Sequence, residues 1–177
     1  HRYTGEAHIT VGSPVAGRIQ TALQKIAGHF TNPVTLTQRF TENASFKDVL
    51  AENKQQVVQA LKHQLYPFQC IIEELQPQRD ANTSPIFQVA ISWNQLDEEQ
   101  TAKHALIKNV NAIEQRGAIY DLVLTCFDKG DEIGLSWRYN SDLFKASTIA
   151  RLSEHLLTLI SLSCEKNQQR IQDFDFR

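Results

Sequence analysis

Six histidines, His1, His8, His29, His63, His104 and His155, are the side chains of this sequence best suited to moving a proton near neutral pH. Each stands alone, with no partner at metal-ligand spacing and no H-E-x-x-H, so a metal centre is not expected. His155 falls between Leu152 and Leu156 on an amphipathic stretch and reads as a border or core residue rather than a proton shuttle. Nucleophilic catalysis needs a Ser or Cys oriented by a base beside an oxyanion site. Neither a G-x-S-x-G elbow nor a Cys-Gly signature occurs. Gly12, Gly17 and Gly28 are spaced for neither a dinucleotide fingerprint nor a P-loop, and no Gly-Lys-Ser/Thr follows them. The pair Arg79-Asp80 sits between a helix stop and a strand, where its expected role is to fix the turn. No catalytic residue is assigned to this chain.

The elements that would position these side chains are legible from periodicity. Ala7 to Val11 reads as a strand ended by Gly12, and Arg18 to Ala27 as a helix with Ile19, Leu23 and Ile26 on one face. Val34 to Phe40 alternates, placing Val34, Leu36 and Gln38 together. Ser45-x-x-Asp48 resembles a capping box and opens a helix carrying Phe46, Val49, Leu50, Val57 and Leu61. Pro67 starts a short helix that buries Phe68, Ile71, Ile72 and Leu75 before Pro77 stops it. Three alternating strands follow: Phe87 to Trp93, Leu122 to Cys126 and Ile133 to Tyr139. The last two form a hairpin through Asp128-Lys129-Gly130-Asp131-Glu132. Trp93 and Trp137 lie in these strands and are expected to pack the core. A helix from about Ser147 to Cys164 and a final extended segment, Ile171 to Arg177, close the chain. The order implies one α/β unit over residues 1–177, an α+β mixed sheet covered by helices. Residues 95–117 form a polar crossover too long for an ordinary loop.

Composition bounds the partners. Hydrophobic residues at 41% and charged residues at 21% are those of a globular protein, and a net charge of -2 offers no basic field for nucleic acid. Cys70, Cys126 and Cys164 are few, scattered and set among apolar residues, which predicts reduced core thiols and a cytoplasmic protein. No apolar run has the length of a membrane span, and no membrane partner is expected. The sequence holds no Met, position 1 included, so His1 is not expected to be a natural start.

Six segments resemble, in order, the later motifs of nonribosomal peptide synthetase condensation domains. Thr10 to Arg18 is similar to V-G-x-P-V-A-G-R, and Ile26 to Leu36 to I-G-x-F-V-N-T-x-x-x-R. His63 to Gln69 resembles H-Q-D-x-P-F-E, and Arg79 to Val89 resembles R-D-x-S-R-x-P-L-F-Q-V. Tyr120-Asp121-Leu122 and Tyr139 to Phe144 look like the family's F-D-L strand and Y-N-x-D-L-F turn, so the likeness spans nearly the whole chain. It departs at Pro33 in place of Thr, at Thr37 where an Arg is expected, and at Leu65 and Gln69 in place of two acids. An Asn-Pro-Val version is similar to condensation domains that work beside polyketide modules. Epimerisation domains are less similar, since they usually lack the Phe-x-Asn element present at Phe30 and Asn32.

The resemblance implies the C-terminal lobe of a chloramphenicol-acetyltransferase-like fold, in the CoA-dependent acyltransferase superfamily, whose two lobes form a V. It implies amide formation by attack of a carrier-bound acceptor amine on a carrier-bound donor thioester, each presented on a phosphopantetheine arm, with no cofactor bound directly. The implied partners are the N-terminal lobe, donor and acceptor carrier proteins and an adjacent adenylation domain. The family's H-H-x-x-x-D-G motif belongs to the preceding lobe, and this sequence has no adjacent histidines, so the chain alone is expected to be inactive. His29, Phe30, Asn32 and Pro33 are implied to line the cleft, and Pro67, Phe68, Arg79, Asp80, Asp121 and Asp142 to be structural motif residues. Asn32 has two readings of equal weight: its amide hydrogen-bonds the thioester carbonyl or the attacking amine, or it caps the turn before Pro33. Residues 95–117 are assigned to the latch that folds back over the first lobe. The rival functions are a non-catalytic carrier-docking module of the same fold and a stand-alone acyltransferase using coenzyme A.

Overall fold

The structure is a computed structural model, and it describes residues 1–77, 84–95 and 119–176. Five strands, β1 (His8–Val15), β2 (Asn32–Arg39), β3 (Val89–Gln95), β4 (Leu122–Asp128) and β5 (Ile133–Tyr139), form one sheet in the order β2-β1-β3-β4-β5. The outer pairs β1/β2 and β4/β5 are antiparallel, and the inner joins β1/β3 and β3/β4 are parallel. This is the mixed sheet expected. Helices α1 (Thr21–Gln24), α2 (Phe46–Lys62), α3 (Phe68–Leu75) and α4 (Ala146–Glu165) complete the unit, with a 3-10 turn at Ile171–Asp173.

The capping box is formed as read. The Asp48 amide donates to Ser45 Oγ at 3.2 Å, and the Ser45 amide donates to Asp48 Oδ2 at 3.1 Å. The next amides of α2 find partners far along the chain: Phe46 donates to the Gln169 carbonyl at 3.2 Å and Lys47 to that of Asn167 at 3.0 Å. The segment after α4 thus satisfies helix-end donors that the helix cannot. On the sheet side, Gln38 is only 6% exposed, and α2 satisfies its amide. Gln38 Nε2 donates to Glu52 Oε2 at 2.7 Å, and Asn53 Nδ2 donates to Gln38 Oε1 at 3.1 Å. Helix α3 ends where Gln76 turns left-handed at φ 42, just before Pro77. The β4–β5 hairpin closes with Gly130 at φ 86 and the Gly130 amide donating to Asp128 Oδ1 at 2.9 Å.

Six expectations are corrected, the first being that α3 buries Leu75, which stands 64% exposed at the end of that helix. Gly12 does not end its strand; it lies mid-β1, in register with Ala90, because the Phe87 ring occupies the space a side chain would fill, 2.0 Å from where a Cβ would stand. The helix read over 18–27 shrinks to the single turn of α1, since Ile19 and Ile26 are exposed and give it no face to bury. The final segment is not extended throughout: it turns at Ile171–Asp173 and then buries Phe174 and Phe176. Trp93 is 57% exposed rather than packed in the core, and Trp137 is half-buried with its indole N–H enclosed and without a hydrogen-bond partner among the described residues. Of the three free cysteines only Cys126 is buried; Cys164 is exposed and Cys70 intermediate. Arg79, Asp80 and His104, and the latch segment apart from Gln95, lie outside the described residues.

Candidate functional site

Three of the motif stretches, Thr10 to Arg18, Ile26 to Leu36 and His63 to Gln69, meet at one end of β1 and β2. Gly17 holds φ 66, and a Cβ there would fall 2.2 Å from the Phe30 carbonyl oxygen, so only glycine lets the chain turn this close. The next residue, Arg18, spreads its guanidinium over the returning loop. Nη1 donates to the Leu23 carbonyl and to that of Ile26 at 2.6 Å, and Nη2 donates to the Gly28 carbonyl at 2.9 Å. The same group lies 4.4 Å from the centre of the Phe30 ring. A planar fork with several donors suits this combination of carbonyls and ring; an ammonium would not. Arg18 therefore fixes the loop bearing His29, which is exposed, and Phe30, which is partly buried.

Asn32 begins β2 and reaches across to the loop between α2 and α3. Its Nδ2 donates to the Gln64 carbonyl at 3.0 Å and to the Tyr66 carbonyl at 2.8 Å. Its Oδ1 accepts from the Phe68 amide at 3.0 Å, the first residue of α3. Pro67, at the N-cap, has no side chain that could cap this helix, and Asn32 supplies the oxygen from 36 residues away. The structure thus joins the Phe30-x-Asn32 element to the His63–Gln69 stretch.

Beside this junction lies an open cleft of about 310 Å³ walled on one side by Pro33, Val34 and Thr35 and on the other by Ala60, His63, Tyr66 and Ile71. Beneath it, Phe68 packs on Phe87 with ring centres 5.5 Å apart, and Phe87 on Tyr120 at 4.8 Å. Burial raises the Tyr120 hydroxyl above its ordinary pKa, which keeps it neutral. Asp121 and Asp142 sit at the far turn. The Asn140 amide donates to the Asp121 carbonyl at 3.0 Å, and the Asp142 amide donates to Asn140 Oδ1 at 3.0 Å. The sequence reading gave no role to Arg18 or Asn140. An Arg directly after a left-handed glycine, and an Asn two residues before an Asp in a turn, are the signals that could have found them.

The arrangement presents a shaped wall in which the side chains of Arg18 and Asn32 are spent on backbone groups and so fix the loops around the groove. The condensation domain family model matches residues 1–176. The chain belongs to the condensation domain family. It is 30% identical to gramicidin S synthase 2 of Brevibacillus brevis over 98% of its length, and 33% identical to surfactin synthase subunit 2 of Bacillus subtilis over 98%. It spans only 4% and 5% of those two relatives. Among solved structures, a four-domain nonribosomal peptide synthetase bound to AMP and glycine shares the fold with a TM-score of 0.87 at 22% identity, over 97% of this chain and 14% of that one. The X-domain from teicoplanin biosynthesis, solved with OxyB, gives 0.87 at 22% identity over 99% of this chain and 39% of that one. This condensation-family fold is the chloramphenicol-acetyltransferase-like one expected.

Proposed function

We propose that the chain is the C-terminal lobe of a condensation domain and forms one wall of a two-walled reaction cleft. In that cleft the acceptor amine attacks the donor thioester carbonyl, a C–N bond forms, the C–S bond breaks, and the thiol leaves on the donor arm. Both reactants arrive on phosphopantetheine arms of carrier proteins, in the setting of a synthetase with an adenylation domain next to it. His29, Phe30, Asn32 and Pro33 stand at the rim of this wall. Arg79 and Asp80 keep their expected structural role, and residues 95–117 that of the latch. The cytoplasm is the proposed setting.

The observation that carries the reading is the family match over residues 1–176 together with the convergence of two motif stretches at Asn32. The coverage of only 39% of the X-domain chain supports a lobe rather than a whole domain. The lobe carries no H-H-x-x-x-D-G, so proton handling is assigned to the preceding lobe. Amide formation should be absent from the 177 residues alone and present once the preceding lobe is included. Turnover by the isolated chain sinks this assignment.

A second reading, a non-catalytic docking module, draws on the fold shared with the X-domain that was solved with OxyB. A degraded H-H-x-x-x-D-G in the preceding lobe favours docking, and an intact one favours catalysis.

A further inference from the structure

Both amide hydrogens of Asn32 are committed to the Gln64 and Tyr66 carbonyls, and its oxygen already holds the Phe68 amide. A side-chain amide has two donors to give. To hydrogen-bond a thioester carbonyl as a donor, Asn32 would have to release one of those carbonyls, and the α2–α3 loop would lose a tether. The three bonds, 2.8–3.0 Å long, bind together the two sides of the groove within this wall: β2 carries Pro33 to Thr35, and the tethered loop carries His63 and Tyr66.

We propose that Asn32 is a positioning residue that fixes the shape of this wall by stapling the His63–Tyr66 loop and the first turn of α3 to β2, without touching the substrate. Its kinetic half rests on the function proposed above; its structural half does not. Two substitutions separate the bonds. Asn32→Asp keeps an oxygen for the Phe68 amide but sets a carboxylate against two carbonyls, whereas Asn32→Ala removes all three bonds.

The test is hydrogen exchange with residue-level fragmentation in the natural chain that carries these residues, alongside steady-state kinetics of amide formation. Loss of a helix cap predicts about fivefold faster exchange at the Phe68 amide in Asn32→Ala. Asn32→Asp should retain protection there, and both variants should speed exchange at Tyr66, whose amide donates to the His63 carbonyl at 2.9 Å. A residue that shapes this wall of the reaction cleft without touching the reacting atoms should raise KM for the carrier-bound substrate more than it lowers kcat. Unchanged exchange at Phe68 in Asn32→Ala overturns the proposal. So does an equal fall of kcat and kcat/KM with exchange intact in Asn32→Asp, the mark of direct transition-state contact; this holds even if Asn32→Ala fails to fold. Should the parent chain form no amide while the exchange pattern appears, the reading of the reaction falls and the staple stands.

Discussion

Gly12 and Phe87 show how one side chain depends on the absence of another. Phe87 is 1% exposed and sits where the first carbon of any residue at position 12 would go. Gly12→Ala is therefore expected to destabilise the fold by about 1–3 kcal/mol through overpacking, read as a lower urea midpoint with an unchanged slope. Arg18 acts by a different route, since its donors grip carbonyls in a loop that buries little. Arg18→Lys should leave the global midpoint nearly in place yet accelerate tryptic cleavage after Lys25, because one ammonium cannot span carbonyls at Leu23, Ile26 and Gly28. The thiols separate by burial. Cys164 is exposed and should react with a maleimide in the native protein, while Cys126, whose pKa burial pushes up, should react only when denaturant opens the sheet.

At the scale of elements, α2 was legible because its start is written locally. Ser45 and Asp48 form their reciprocal bonds within one turn, and nothing distant decides them. The Ser45 hydroxyl and amide hold the Asp48 carboxyl below its ordinary value of 3.8. Its stabilising contribution is thus fully present above that ordinary value and fades as the pH falls through the lower folded value. Ser45→Ala should cost about 1 kcal/mol at neutral pH and flatten that acid slope in denaturation curves taken from neutral to strongly acid conditions. Helix α1 is the opposite case. Ile19, Leu23 and Ile26, in and beside it, look amphipathic, but a stripe makes a helix only when something apolar covers it, and no local signal says whether it will.

Across the whole molecule, hydrophobic alternation marked Trp93 and Ile133 for the interior, yet they are 57% and 58% exposed. Trp93 is in register with Cys126, and Cys126 with Leu135, so these strands present the two residues on the same side of the sheet. Exposed apolar side chains of this size drive association. Light scattering of the 177-residue chain should show mass rising with concentration, and Trp93→Ser should reduce the rise; a concentration-independent monomer counts against it.

Strands β2 to β5, helices α2, α3 and α4 and the hairpin at Gly130 were legible in the residues because periodicity, caps and turn residues act over a few positions, while the family was legible in the ordered motifs. Contacts made on folding are what give Gly12 its role as a seat for Phe87, Arg18 its grip on three carbonyls, and Asn32 its cap on a helix 36 residues away. Those roles need partners brought together by the fold, and a hydrogen bond or a close approach exists only once both sides have arrived.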